Sequence, residues 1–264
     1  MKVLAPVTFI LVFLFYSCQK IVTLKLNTVP PQIVIQGEVT DSAGPYSITI
    51  NQTADFYAPN VFPPVSGAVV KISDDLGASD SLIEYSPGIY STQGLQARPG
   101  RTYTLSVFVQ NKYYTSVSTM PMPVKLDSVT LELTSGFGMH RINAIVNFQD
   151  PPGIPNYYQF LEYINGQLFN KEIFILDDRL SDGKYISSTL RTDSSYLNSG
   201  DQLKVKMYSI DKNVYNYFLQ LRQSSGTGAF NSTASPANPT SNITGGALGY
   251  FSAHTTQTQT ITVY

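Results

Sequence analysis

The chain has 264 residues and only 13% of them are charged, 17 Lys and Arg against 18 Asp and Glu, with 18 Tyr, 14 Phe and no Trp. A typical globular chain carries about a quarter charged residues, and this balance is that of an extracytoplasmic β-protein. No cluster of Lys or Arg stands out, which excludes nucleic acid as a partner, while one cysteine excludes an internal disulfide framework and leaves stability to burial.

Residues 3–16 are apolar apart from Thr8, follow Lys2, and end at Ser17 and Cys18 in "FYSCQK". A membrane-spanning helix needs about 20 apolar residues, so this shorter run predicts an export signal with a small residue at the cut. Ser17 followed by Cys18 resembles the lipobox of bacterial lipoproteins, although Phe15 stands where Leu is usual and Tyr16 is bulky. That resemblance implies cleavage between Ser17 and Cys18 and attachment to membrane lipid through an acylated Cys18. Several acyl chains satisfy the requirement of more than one anchor for stable attachment. The alternative is a plain signal peptide with a chance cysteine. The expected organisation is a signal at 1–17, a tether at 18–30, an N-terminal β-sandwich domain at 31–122 and a C-terminal mainly-β domain at 123–264.

Beyond the tether, 32–40, 46–53, 67–75, 80–86, 102–110 and 112–119 all alternate apolar and polar residues between Gly- and Pro-containing breaks. Such alternation predicts strands with one buried face, and their density predicts a mainly antiparallel β-sandwich. The order of "GEVTDSAGP", "VSGAVVKISD", "GIYSTQGL" and "RTYTLSVFV" resembles the prealbumin-like sandwich of carboxypeptidase regulatory domains, with Ig-like sandwiches as its relatives in architecture. A hairpin is expected at Asn111, and "TMPMPVKLDSV" at 119–129 marks the change of domain near Pro123. The second half is again strand-like, with Asn165-Gly166 as its clearest hairpin signal. One segment differs: Val214, Tyr217, Phe218 and Leu221 follow helical spacing behind Asp211 as a candidate N-cap, which predicts one short amphipathic helix over about 211–224 packed on a sheet. Residues 224–246 form a long polar loop, and 247–264 are expected to finish the fold as two short strands.

Catalytic signatures are not found. His140 and His254 are far apart in sequence, without metal-ligand spacing, and are expected to be surface or turn histidines. There is no nucleophile elbow, phosphate loop or dinucleotide fingerprint, so no catalytic residue and no cofactor is assigned. "DDRLSDG" places Asp177, Asp178 and Asp182 together with a turn at Gly183; it is read as a solvated turn, with a cation site as the alternative because it lacks the full EF-hand pattern. Glu38, Glu132, Glu162 and Glu172 fall in predicted strands, where pairing across a cleft is the requirement for glycoside hydrolysis. Phe56 and Tyr57 in "DFYAPNVF", and Tyr157 and Tyr158 in "PNYYQF", are candidates to grip a peptide, glycan or partner protein; the alternative is that they are strand formers and core edges.

"PQIVIQGEVTDSAGPYSITINQTADFY", "STMPMPVKLDSV", "FQDPPGIPNYYQF", "IFILDDRLSDG", "YSIDKNVYNYFLQL" and "PTSNITGGALGYFSAH" occur in this order along the chain. In that order they resemble the Bacteroidota lipoproteins grouped as the domain of unknown function DUF4249. The resemblance implies a lipid-anchored outer-membrane protein without enzymatic activity, an accessory or ligand-capturing partner of a TonB-dependent receptor. Lipoproteins of that phylum carried to the cell surface have acids just after the cysteine; here Gln19 and Lys20 follow, and the first acid is Glu38. An adhesin-like or structural surface protein is the alternative from another class, and a glycan or peptide hydrolase a third.

Overall fold

The computed structural model describes residues 30–54, 62–136, 139–190, 197–224 and 238–264, without the side chains of 135–141 and 170–171. Ser17, Cys18, Phe56 and Tyr57 lie outside the described residues, and the compact body runs from Pro31 to Tyr264. Among the described residues the fold is all-β with one α-helix. Its strands are β1 (Ile33–Thr40), β2 (Ser47–Gln52), β3 (Val69–Asp74), β4 (Ser79–Ser81), β5 (Ile83–Ser86), β6 (Ile89–Ser91), β7 (Thr102–Val109) and β8 (Lys112–Thr119) in the first half. The second half adds β9 (Ser128–Gly136), β10 (Met139–Gln149), β11 (Tyr157–Ile164), β12 (Gln167–Asp177), β13 (Tyr185–Leu190), β14 (Gln202–Ile210), the helix α1 (Lys212–Ser224) and β15 (Leu248–Thr262).

The described strands form three sheets, in the orders β12-β11-β14-β15-β1-β2-β6-β5, β13-β10-β9 and β4-β3-β7-β8. Strict alternation explains the first sandwich: Ile35, Ile48 and Ile50 from one sheet meet Ile72, Tyr103 and Leu105 from the other, all fully buried. Burying each such aliphatic side chain contributes about 1.5–3 kcal/mol. A second core joins Val146 and Phe148 of β10 to Tyr158, Phe160, Leu203 and Val205 of the large sheet. Core residues change from the first cluster to the second between Met120 and Val124, so the double proline of 121–123 sits where one core gives way to the next.

The C-terminal segment is a single strand of 15 residues, not two short ones. Its partner changes midway: Leu248 to His254 pair in parallel with β1, and Thr255 to Thr262 pair antiparallel with β14. The sequence pattern breaks because the partner changes, while no turn residue interrupts the chain from Phe251 to Thr262. Phe251 and Ala253 therefore belong to the first core, and Ile261 and Val263 to the second. At Gly249 the backbone adopts φ 94°, and an added Cβ would lie 2.0 Å from the Ile35 carbonyl oxygen, so only glycine lets β15 approach β1 here.

The two expected hairpins form with the backbone their residues favour. Gln110 and Asn111 take φ of 51° and 58°, and Asn165 and Gly166 take 50° and 83°, the left-handed values of two-residue turns between twisted strands. Helix α1 starts where Asp211 accepts hydrogen bonds from the amides of Asn213 and Val214 at 2.7 and 3.0 Å. It lays Val214, Tyr215, Tyr217 and Phe218 on the outer face of the large sheet, against Ile175, Tyr208 and Ile210.

Candidate functional site

Polar chemistry concentrates at one end of the second sandwich, where the loop after β10 meets the loop after β12. Both loops are rich in Asp, Gly and Pro, residues that turn the chain and accept backbone hydrogen bonds. Asp178 accepts from the amide of Asn156 at 2.8 Å, Asp182 from that of Gly153 at 2.8 Å, and Asp150 from that of Gly183 at 3.1 Å. The Tyr158 hydroxyl also donates to Asp150. These bonds clasp the two loops together.

One carboxylate oxygen each from Asp150, Asp178 and Asp182 lies within 4.8 Å of the others. Among the described residues this is the group whose atoms converge as hard oxygen ligands do around calcium. The membership differs from the sequence grouping of Asp177, Asp178 and Asp182. Asp177 instead accepts from Arg179 at 2.9 Å and from the Tyr215 hydroxyl at 2.7 Å, tying the end of β12 to helix α1. Burial would raise the Asp177 carboxyl, but these hydrogen bonds outweigh it and hold it below the ordinary carboxylate value. Burial together with Asp177 pushes the Tyr215 hydroxyl up to about 12. Asp150 was not singled out from sequence; the signal was its place at the end of a strand, immediately before Pro151-Pro152-Gly153.

Strand alternation separates the two candidate tyrosines. Tyr158 is fully buried in the second core, where its ring meets Phe148 edge-on at 4.8 Å. Burial, reinforced by Asp150, keeps its hydroxyl protonated far above the ordinary tyrosine value. Tyr157 points to the other face and packs on Tyr215 at 5.0 Å. The pair thus serves two different layers.

A second polar cluster lies where β15 passes between sandwiches. His254 is not a surface or turn histidine: it is 1% exposed, at mid-strand, stacked on Tyr208 at 4.2 Å. Its Nδ1 contacts the Ser252 hydroxyl at 3.0 Å, and its Nε2 has no hydrogen-bond partner. Burial holds it neutral, lowering its pKa against the opposing pull of Glu38 and Asp41 and with help from Lys206. The absence of metal-ligand spacing around it pointed to the surface, but the ring packs on Tyr208 of the neighbouring strand β14. Beside it, Glu38 accepts from the Tyr250 hydroxyl at 2.8 Å, at the floor of an open cleft of about 360 Å³ that also includes Gln36, Thr40 and Tyr46. Of the other acids, Glu132 projects from the exposed edge strand β9, whereas Glu162 is 2% exposed inside the second sandwich. The side chain of His140 lies outside the described residues.

No curated protein matches the sequence. Among solved structures, a two-domain fibronectin type-III segment of chicken tenascin is similar at 13% identity, covering 68% of this chain and 90% of that one with a TM-score of 0.22. The adhesin InvE of Yersinia pseudotuberculosis is similar at 16% identity, covering 67% and 55% of the two chains with a TM-score of 0.20. Neither superposition is close enough to carry an inference about function. The family match is extensive, spanning residues 19–260. The chain belongs to the family described as a domain of unknown function, DUF4249.

Proposed function

We propose that the protein is a lipid-anchored, non-enzymatic binding protein of the bacterial outer membrane, tethered through acylated Cys18 and working as a partner of a TonB-dependent transporter. The observation that carries the anchoring is the position of the lone cysteine, directly after the apolar run 3–16 and Ser17. The first described strand begins at Ile33, and residues 18–32 lie between it and the proposed acylation site. Among the described residues no helix is long and apolar enough to cross a membrane.

A binding role accords with how the polar groups are used. Asp150, Asp177, Asp178 and Asp182 are committed to hydrogen bonds that hold loops and helix in place, and His254 is sealed between layers. Hydrolysis would need such groups to converge on one open cleft; Glu38 and Glu132 stand instead on strands of different sheets. Detergent extraction of tagged protein from its native membrane tests the partnership. Recovery of an outer-membrane barrel is the expected result, and its consistent absence would contradict the partnership.

A second reading, an adhesin-like or structural surface protein, draws on one observation. The outer face of the β4-β3-β7-β8 sheet carries Val69, Tyr113 and Val117 at 66%, 72% and 50% exposure. Protease shaving of intact cells separates the two: degradation of the body supports surface display, and protection supports a periplasmic partner.

A further inference from the structure

The outer face of the large sheet carries an open cleft of about 360 Å³ over β1 and β2, beside β15. Alternation decides what lines it. Ile35 and Val39 of β1, with Ile48 and Ile50 of β2, point into the first core, so Gln36, Glu38, Ser47 and Thr49 point outward, to the cleft. Register sets these groups side by side: Gln36 stands between Tyr250 of β15 and Thr49 of β2, about 4.8 Å from strand to strand, with Glu38 and Ser47 about 7 Å further along. The floor is therefore a flat grid of polar groups.

The surroundings of this floor are fixed. Tyr250 packs against Tyr217 and Phe218 of helix α1 at 5.1 and 4.9 Å, and its hydroxyl donates to Glu38 at 2.8 Å. Ala43 and Pro45 of the turn between β1 and β2 also line the cleft. That turn is held where the Tyr46 hydroxyl donates to the Ser42 carbonyl at 2.8 Å and accepts from the Ala97 amide at 3.1 Å, and where Asp41 accepts from the Thr256 amide at 2.9 Å. A site built in advance loses less entropy when it binds. Within it, the side chains of Gln36, Ser47 and Thr49 have no hydrogen-bond partner among the described residues, and neither has the second oxygen of Glu38.

These groups select a ligand class. Glu38 is the one charged residue among the described lining residues, so a phosphate, sulfate or carboxylate would meet repulsion and no cation. A cationic ligand gains less than a lone carboxylate suggests, because Lys206 stands on the same face: its charge and that of Glu38 both reach His254, with opposite sign. A neutral ligand rich in hydroxyls fits both conditions. Hydroxyls donate to a carboxylate in charge-assisted bonds and exchange bonds with amides and other hydroxyls. We propose that this cleft binds a neutral saccharide, its hydroxyls bonded to Glu38, Gln36, Ser47 and Thr49 and its carbon-bound hydrogens lying against the Tyr250 ring. A single carboxylate can hold a sugar but does not supply the pair that glycoside hydrolysis uses. The inference rests on the reading of the chain as a binding protein and names the ligand class. It involves neither Cys18 nor a transporter, so its failure leaves the anchor and the partnership standing, and theirs leaves the cleft standing.

The test is calorimetric titration of the purified full chain with maltotetraose, cellotetraose, mannotetraose and xylotetraose. The glucosamine tetramer and the galacturonic acid tetramer serve as cationic and anionic counterparts. Saturable binding of at least one neutral saccharide is expected, with a dissociation constant of about 1 mM or tighter, and no binding of the acidic tetramer. Glu38→Gln keeps an acceptor for the Tyr250 hydroxyl while removing the charge, and should weaken binding about tenfold or more. Gln36→Ala, at an exposed position, should weaken it about 3–10-fold. Ser47→Phe, also exposed and turned away from the core, fills the cleft and should abolish binding while the urea midpoint stays that of the native chain. Four results would each overturn the assignment: no saturable binding of any neutral saccharide, binding of the glucosamine tetramer alone, equal binding of the acidic tetramer, or undiminished binding by Ser47→Phe or Glu38→Gln.

Discussion

Asp80 and Glu162 are both drawn into a β-sandwich, one in each half of the molecule, and they end in opposite electrostatic states. Asp80 accepts hydrogen bonds from the amides of Gln93, Gly94 and Leu95 at 2.9, 2.8 and 2.9 Å. Burial would raise its pKa, but these three donors outweigh burial and lower it. Asp74, nearby in the same sandwich, is treated alike by Arg101 and the amides of Ala78 and Leu76. Glu162 has no such donor on its buried oxygen and is pushed up instead. Donors convert an inward carboxyl into a fastener between segments. Without them, the same group is a suppressed charge that costs stability unless something else satisfies it.

The harshest way to break the comparison is to separate the sandwiches. Gly249→Ala places a methyl against the Ile35 backbone at positive φ, and should cost about 3–5 kcal/mol. Because β14 pairs with the other half of β15, urea unfolding followed at both cores should lose its single transition, the first sandwich melting before the second.

Next in size is Asp80→Ala, which removes the acceptor of three amide donors, two of them within reach of water, and should lower stability by about 1–1.5 kcal/mol at pH 7. Since the folded carboxyl's pKa is depressed, its contribution is present above the unfolded value near 4 and lost as pH falls through the folded one. The cost of the substitution, measured by urea unfolding, should therefore shrink at pH 3.

Glu162→Gln is expected to act in the opposite sense. A carboxyl whose folded pKa is raised to about 8 makes the native chain lose stability as pH climbs from the unfolded value to 8, at up to about 1.4 kcal/mol per pH unit. The variant lacks that loss, so the difference in unfolding free energy between variant and native chain should grow in the variant's favour from pH 5 to 8 and then stay constant. His254 works in another window: its lowered pKa makes stability fall as pH drops below the ordinary histidine value near 6.5, and this slope should persist in Glu162→Gln. The smallest effect should come from the exposed Lys125–Asp127 pair, where the lysine is 80% exposed. Lys125→Ala should change stability by less than about 0.5 kcal/mol.

Local chemistry was legible in the sequence. Alternating strands, the turns at Asn111 and Asn165-Gly166, and the Asp211 cap with its apolar stripe all depend on neighbours a few residues away. What escaped depends on contacts between distant segments. The parallel pairing of Val34 with Leu248 makes β15 a strand common to two cores, and nothing within 248–262 announces it. The exposure expected of His254 was wrong for the same reason, since its ring is covered by Tyr208 of β14, a residue far from it in sequence. At the loop clasp, Asp178 and Asp182 were visible as neighbours in "DDRLSDG", but Asp150, which completes the group, stands 28 residues before Asp178. Glu162 could be recognised as a strand residue, whereas its lack of a partner is a property of the packed sandwich.

The account's central claim is the attachment of this body to a membrane, and mass spectrometry of the protein from the membrane fraction of its native cell tests it most directly. The N-terminal peptide should begin at Cys18 and carry the added mass of a diacylglyceryl group and an amide-linked acyl chain. An N-terminal peptide bearing a free thiol at Cys18, or one that starts elsewhere, would contradict it.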